Sequence, residues 1–256
     1  MTFGAARTRP RANPTSVVVL PRHLDVCRSV QWARFLSTEQ IQRLHFPSRR
    51  TAQRGLRRLV DHRWLRAHLQ GVALHRANVY TLTPLGVAAL GVEDETRPGR
   101  VPRLQKLAHS LAIRDVFVAW RLLEREGVIA LDDIRFEEDL VGEPVLRDAK
   151  IVPDCVALVG TPTSTVVPCE VDLGTETRSV LLAKFSAWSA LLAKGSLGAS
   201  AVLVVAHSER RRATLERVAQ DAACPVVVTT FGELGAQLHG WAKALFAHPV
   251  RAARTG

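Results

Sequence analysis

Two helix starts set close together constrain the first part of this chain more than any other feature. Ser37-Thr38-Glu39-Gln40 is a capping-box pattern, in which the serine hydroxyl opens a helix and Gln40 returns to its start. Pro47-Ser48 then restarts the chain, and Ser48 is the N-cap of a further helix running to Trp64. Upstream, Val26, Val30 and Ala33 fall at helical spacing and predict a helix over 25–35. Ile41, Leu44 and Phe46 give the middle helix its apolar residues. Two short β segments follow, 66–69 and 79–83, around a polar loop at 71–78, and a last short helix over 84–90 closes the block.

Three helices followed by a hairpin is the order of a winged helix-turn-helix, expected over residues 21–92. In its third helix Ala52, Leu56, Leu59 and Val60 recur on one side, which places Arg50, Arg54, Arg57 and Arg58 on the other. Guanidiniums on one exposed stripe repel one another unless an anion neutralises them. The DNA major groove offers phosphates along its walls and guanine edges on its floor, both suited to arginine. The first residues of such a helix reach the bases, so Arg49, Arg50, Thr51, Gln53 and Arg54 are the readout candidates. His75 and Arg76, in the loop between the β segments, would contact phosphate or minor groove as a wing. The competing reading is a solvated charged face on a helical bundle. The formal charge, Lys+Arg 35 against Asp+Glu 24 for a net +11, suits a polyanion partner, and double-stranded DNA is the expected one.

Other function classes drop out. No stretch is apolar enough to span a bilayer, so no membrane partner is expected. Residues 1–20, with Arg7, Arg9 and Arg11, lack the apolar core of a secretory signal and read as a disordered basic arm. The cysteines Cys27, Cys155, Cys169 and Cys224 show no CxxC spacing, which argues against zinc and for free thiols in a reducing cytoplasm. Residues 93–103 hold two prolines, a glycine and several charges, a linker to a second block over 104–248.

That block reads αβββαβαβα: a long amphipathic helix through Leu107, Leu111, Val118 and Leu122, strands over 128–138, 151–159 and 165–171, a helix over 177–194, and strands over 201–206 and 225–228 with helices after them. Pro153-Asp154 opens one strand and Glu170-Val171-Asp172 ends the next. Alternation puts Glu170 and Asp172 on one face, and a paired neighbour brings Asp154 beside them. Three converging carboxylates call for Mg²⁺ or Mn²⁺, so Asp154, Glu170 and Asp172 are the candidate metal ligands. Lys184, about two turns into the next helix, would stabilise a nucleophile in phosphodiester hydrolysis, making Asp154, Glu170 and Lys184 the candidate catalytic set. Plainer readings stand beside these: Asp154 caps a turn, Glu170 and Asp172 form a solvated strand end, and Lys184 pairs with Asp172. Glu137 and Glu138 are an exposed acidic strand or supply a further ligand.

Strand order, Pro153, Asp154 and Glu170 resemble the PD-(D/E)xK nuclease superfamily. One departure is that Asp172 stands where the superfamily usually has lysine, with Lys184 as the relocated lysine. The whole chain, over about residues 20 to 195, resembles the replication-relaxation family of plasmid, phage and mobile-element proteins. The residues that carry this are the arginine-rich third helix, His109-Ser110-Leu111, Val152-Pro153-Asp154, Glu170-Val171-Asp172-Leu173-Gly174-Thr175 and Lys184. The resemblance implies a mixed α+β protein, a winged helix-turn-helix followed by an αβββαβ nuclease-like domain. It further implies DNA binding in replication, mobilisation or regulation of an element, with a relaxase or replication protein, or a second copy of the chain, as further partner. A metal-dependent endonuclease targeted by the winged helix is the alternative. The acid at the usual lysine position favours binding without cleavage.

Overall fold

The computed structural model describes residues 20–69, 78–91, 101–160 and 164–247 of a mixed α+β protein. The expected basic arm, the loop with His75 and Arg76, and most of the expected linker lie outside the described residues. The chain divides into two compact units between Val118 and Ala119.

The first unit opens with α1 (Pro21–Ala33), β1 (Leu36–Ser37), α2 (Thr38–His45) and α3 (Arg49–Asp61), then β2 (Leu65–Leu69), β3 (Asn78–Leu82) and α4 (Pro84–Ala89). Both predicted caps are present. Ser37 Oγ accepts from the Gln40 amide at 3.2 Å while Gln40 Oε1 accepts from the Ser37 amide at 3.0 Å. Ser48 Oγ accepts from the Thr51 amide at 3.3 Å. α1 begins four residues before the expected start, because Pro21 fits a first helical turn, where its missing N–H costs nothing. β1 is only two residues long, too short for any periodicity, yet it pairs antiparallel with β3 through Leu36↔Tyr80 and Ser37↔Val79 to give the order β1-β3-β2. Val26, Val30, Ile41, Leu56, Leu59 and Val79 are among the buried residues. Gly55 lets the turn after α2 sit against α3, since a Cβ there would lie 2.7 Å from the Phe46 ring.

The long helix α5 (Leu104–Arg125) carries the division between units. Its first part packs on the elements just described, with Leu107 in a buried cluster with Phe35 and Val79. Arg114 is 2% exposed; its Nε donates to the Ala33 carbonyl, at the end of α1, at 3.1 Å. Its guanidinium lies 4.4 Å from the centre of the Phe35 ring, a cation–π contact. Gln40, besides its capping role, donates from Nε2 to the Leu111 carbonyl at 2.8 Å.

The second unit holds β4 (Ala130–Phe136), α6 (Glu137–Leu140), α7 (Pro144–Asp148), β5 (Cys155–Gly160), β6 (Thr165–Asp172), α8 (Arg178–Ala193), β7 (Val202–Ala206), α9 (Glu209–Asp221), β8 (Val226–Thr230) and α10 (Leu234–Ala247). The sheet order is β4-β5-β6-β7-β8, antiparallel up to β6 and parallel beyond it. Two short helices, α6 and α7, were not expected. Glu137 and Glu138 therefore begin a helix, where negative charge suits the positive end of the dipole, and are not an acidic strand. The strand expected from 151 starts at Cys155: Lys150 has a left-handed φ of 54° and Pro153 has no amide hydrogen. β6 pairs with β5 through residues 165–169 and with β7 through 169–172, so its partner changes at Cys169. One face of the sheet presents Val202, Val204, Ala206 and Val228 to Leu181, Phe185, Trp188 and Leu191 of α8 and to Leu215 and Val218 of α9. Cys27, Cys155, Cys169 and Cys224 are buried free thiols. No described helix is long and apolar enough to cross a membrane.

The packing of α5 on the first unit is testable. Leu107→Ala in the full chain should cost about 2–5 kcal/mol in urea denaturation, whereas exposed Gln105→Ala should leave the midpoint unchanged. Equal midpoints for the two variants would exclude this packing.

Candidate functional site

The strand-end residues follow from register. Cys155 stands opposite Cys169, so Asp154, one residue earlier, is level with Glu170. Asp154 Oδ2 accepts from the Val171 amide at 2.7 Å. Glu170 and Asp172 pair in parallel with Val204 and Ala206, residues of the sheet face covered by α8 and α9. Both acids therefore face those helices, as strand alternation predicts.

Glu170 is 4% exposed and is met by two donors one turn apart on α8: Trp188 Nε1 donates to Oε1 at 3.0 Å and Lys184 Nζ to Oε2 at 3.3 Å. Lys184 Nζ also lies 2.9 Å from Glu176 Oε1. The Glu170 carboxyl is raised to about 7: burial pushes it up, Lys184 pulls it down, nearby Asp154 pushes it up, and the hydrogen bonds from Trp188 and Lys184 pull it down. For Lys184 burial acts to lower the pKa, but Glu170, Glu176 and Asp154 outweigh it and hold the ammonium above the ordinary lysine value. Asp154, Glu170 and Lys184, three residues far apart in sequence, thus act on one another.

Asp172 has a different partner. Arg211 grips it from both sides, Nε to Oδ1 and Nη2 to Oδ2, each at 2.7 Å, and Nη2 also donates to the Glu176 carbonyl at 2.8 Å. The Gly174 amide adds a bond to Oδ1 at 2.6 Å. Gly174 has φ 85°, and the His207 ring lies so close that a Cβ there would stand 2.5 Å from it, so no other residue fits this turn without displacement. The solvated strand end is thereby replaced by two buried, paired carboxylates, and Lys184 pairs with Glu170 and Glu176, not Asp172. Arg211, Glu176 and Trp188 were missed by sequence reasoning. Only Trp188 left a trace, standing four residues after Lys184 on the same helical face.

The expected ligand set of Asp154, Glu170 and Asp172 does not fit a cation in this arrangement. Both Asp172 oxygens are held by Arg211, and both Glu170 oxygens by Lys184 and Trp188. Among the described residues no group of three His, Cys, Asp or Glu side chains is placed to hold a metal ion.

In the first unit, the opposite faces of α3 separate as predicted. Ala52, Leu56, Leu59 and Val60 are buried, while Arg49, Arg50, Gln53, Arg54 and Arg58 are exposed. Two residues of the expected DNA-binding set, Arg57 of the arginine stripe and the readout candidate Thr51, are occupied. Arg57 is ion-paired with Asp61 at 2.8 Å, and Thr51 serves the helix start, its Oγ1 donating to the Ser48 carbonyl at 2.8 Å.

The raised Glu170 pKa has a pH signature. Between the ordinary value of 4.5 and about 7 the folded protein keeps a proton that the unfolded chain releases. The associated stability is complete below 4.5 and is lost as pH rises through 7. Melting temperatures of Glu170→Gln should therefore gain on wild type as pH rises across this window and level off above it. Parallel curves would show that Glu170 ionises normally.

No curated protein and no solved structure matches the chain. The replication-relaxation family model matches residues 28–202, which takes in the first unit from α1 onward and the second as far as the start of β7. With more than half of its length matched, the chain belongs to the replication-relaxation family.

Proposed function

We propose that this protein binds double-stranded DNA through α3 and acts in the replication, mobilisation or regulation of a plasmid or other mobile element. The observation that carries the reading is the exposed arginine face of α3, set opposite a buried apolar face. The element order α1-β1-α2-α3-β2-β3 and the sheet order β1-β3-β2 support its reading as a winged helix-turn-helix. On this reading α3 enters the major groove N-terminus first. Arg50 and Arg54 take guanine O6 and N7, Gln53 reaches an adjacent base, and Arg49 and Arg58 neutralise phosphates. Arg57 contributes through its pair with Asp61 by stiffening the helix. The second unit is a nuclease-like domain, with a relaxase or replication protein as its partner.

A second reading, a metal-dependent endonuclease, is favoured by one observation: Asp154, Glu170 and Lys184 converge as such an enzyme would require. Against it stands the Asp172–Arg211 pair, which leaves no three-carboxylate group for Mg²⁺ or Mn²⁺ among the described residues.

Arg50→Ala and Arg54→Ala should each weaken specific binding by about 1–3 kcal/mol in gel-shift titrations, because each removes a bidentate base contact. Affinity should fall steeply with salt as released counterions compete. Arg57→Ala should lower the melting temperature and change affinity little. Unaltered binding by the Arg50/Arg54 double variant would remove α3 as the reader. For the second reading, supercoiled plasmid should be nicked with Mg²⁺ or Mn²⁺ and spared by Lys184→Ala; intact plasmid with wild type under both metals excludes it.

A further inference from the structure

The interactions around Arg211 form a continuous path into the strand-end site. Arg211 stands in the first turn of α9, where its amide bonds the N-cap Ser208 hydroxyl at 3.3 Å. Its guanidinium spans two oxygens of Asp172 and the carbonyl of Glu176, and so ties the end of β6 to the far side of the turn that follows it. The side chain of that same Glu176 holds Lys184 Nζ at 2.9 Å, and Lys184 reaches Glu170. The planar guanidinium fork matches these three acceptors, since two parallel bonds fix the carboxylate and a third hydrogen is left for the carbonyl. Arg211 also lies beyond the stretch that matches the family.

We propose that Arg211 is the positioning residue of the strand-end site, fixing the turn over residues 173–177 so that Glu176 keeps the Lys184 ammonium against Glu170. Asp172, held through both of its oxygens, is then the anchor of this device. The inference rests on the reading of the strand end as the working site of a nuclease-like domain, but its geometry needs neither metal nor DNA.

Nitrogen-15 NMR on the full-length protein provides the test. In wild type the Lys184 ammonium, held by two carboxylates, should give a slowly exchanging signal, and the Trp188 indole N–H should report its bond to Glu170. Arg211→Gln should abolish the ammonium signal and shift the indole resonance while the remaining spectrum stays dispersed. Glu176→Gln should do the same, and the double variant should add nothing, because both act through one contact. Arg211→Lys should fail to restore the signal, since a single ammonium nitrogen cannot reproduce the planar two-nitrogen grip on Asp172 together with the bond to the Glu176 carbonyl. Asp172→Asn, which keeps the side-chain shape, decides the matter should Arg211→Gln not fold, and it too should lose the ammonium signal. A Lys184 signal at its wild-type position in folded Arg211→Gln or Asp172→Asn, or effects of Arg211→Gln and Glu176→Gln that add, would overturn the proposal. Absence of DNA binding or nicking would defeat the functional reading and leave this NMR result standing.

Discussion

Taking the Glu170 carboxylate out of water beneath α8 sets the terms for the rest of the second unit. Desolvating an isolated ion costs several kcal/mol even after relaxation, and a protein can meet that cost only with matched donors or by keeping the acid protonated. Both devices are present: Trp188 and Lys184 supply donors, and the raised pKa allows the proton to stay near neutrality. Lys184 in turn needs Glu176 to hold it, and Glu176 stands in a turn that Arg211 fastens to Asp172. Four elements, β6, α8, α9 and the turn after β6, are organised by one buried charge. The apolar packing of α8 and α9 on the sheet supplies the stability against which this arrangement is maintained.

The first unit handles its buried charge by a different means. Arg114 has its guanidinium against the Phe35 ring and an amide-like acceptor in the Ala33 carbonyl, at the negative end of α1. Arginine suits such a site because its charge is spread over a plane and is weakly hydrated. The arginines of α3 are left largely in solvent, where, among the described residues, their mutual repulsion is unopposed by neighbouring acids except at Arg57. A surface of this kind is tolerated by the fold and becomes favourable against a polyanion.

What could be read from sequence divides along the same physical lines. Caps, helical spacing and strand alternation are local rules, and they placed α2, α3 and the shared face of Glu170 and Asp172. The convergence of Asp154, Glu170 and Lys184 was legible because a paired strand and the following helix leave few arrangements. The role of Asp172 was not legible, since its partner lies 39 residues away on another helix. A run of arginines at 210–212 gives no local sign of which one turns inward. Nor could spacing reveal β1, whose two residues matter only because β3 lies beside them. The helical start at Glu137 was missed because β4 runs directly into it, with no breaker between.

The change of partner along β6 has a consequence for how the acids can be probed. Beyond Cys169 the backbone of β5 no longer continues the antiparallel ladder, and the Val171 amide is taken by the Asp154 side chain. That carboxylate thus substitutes for a peptide carbonyl at the open end of a sheet. Alanine at 154 would remove a charge and a ladder acceptor together, so a lost activity could not be assigned to either. Asparagine keeps an oxygen for Val171 and removes the charge alone, which makes it the cleaner chemical edit at this position.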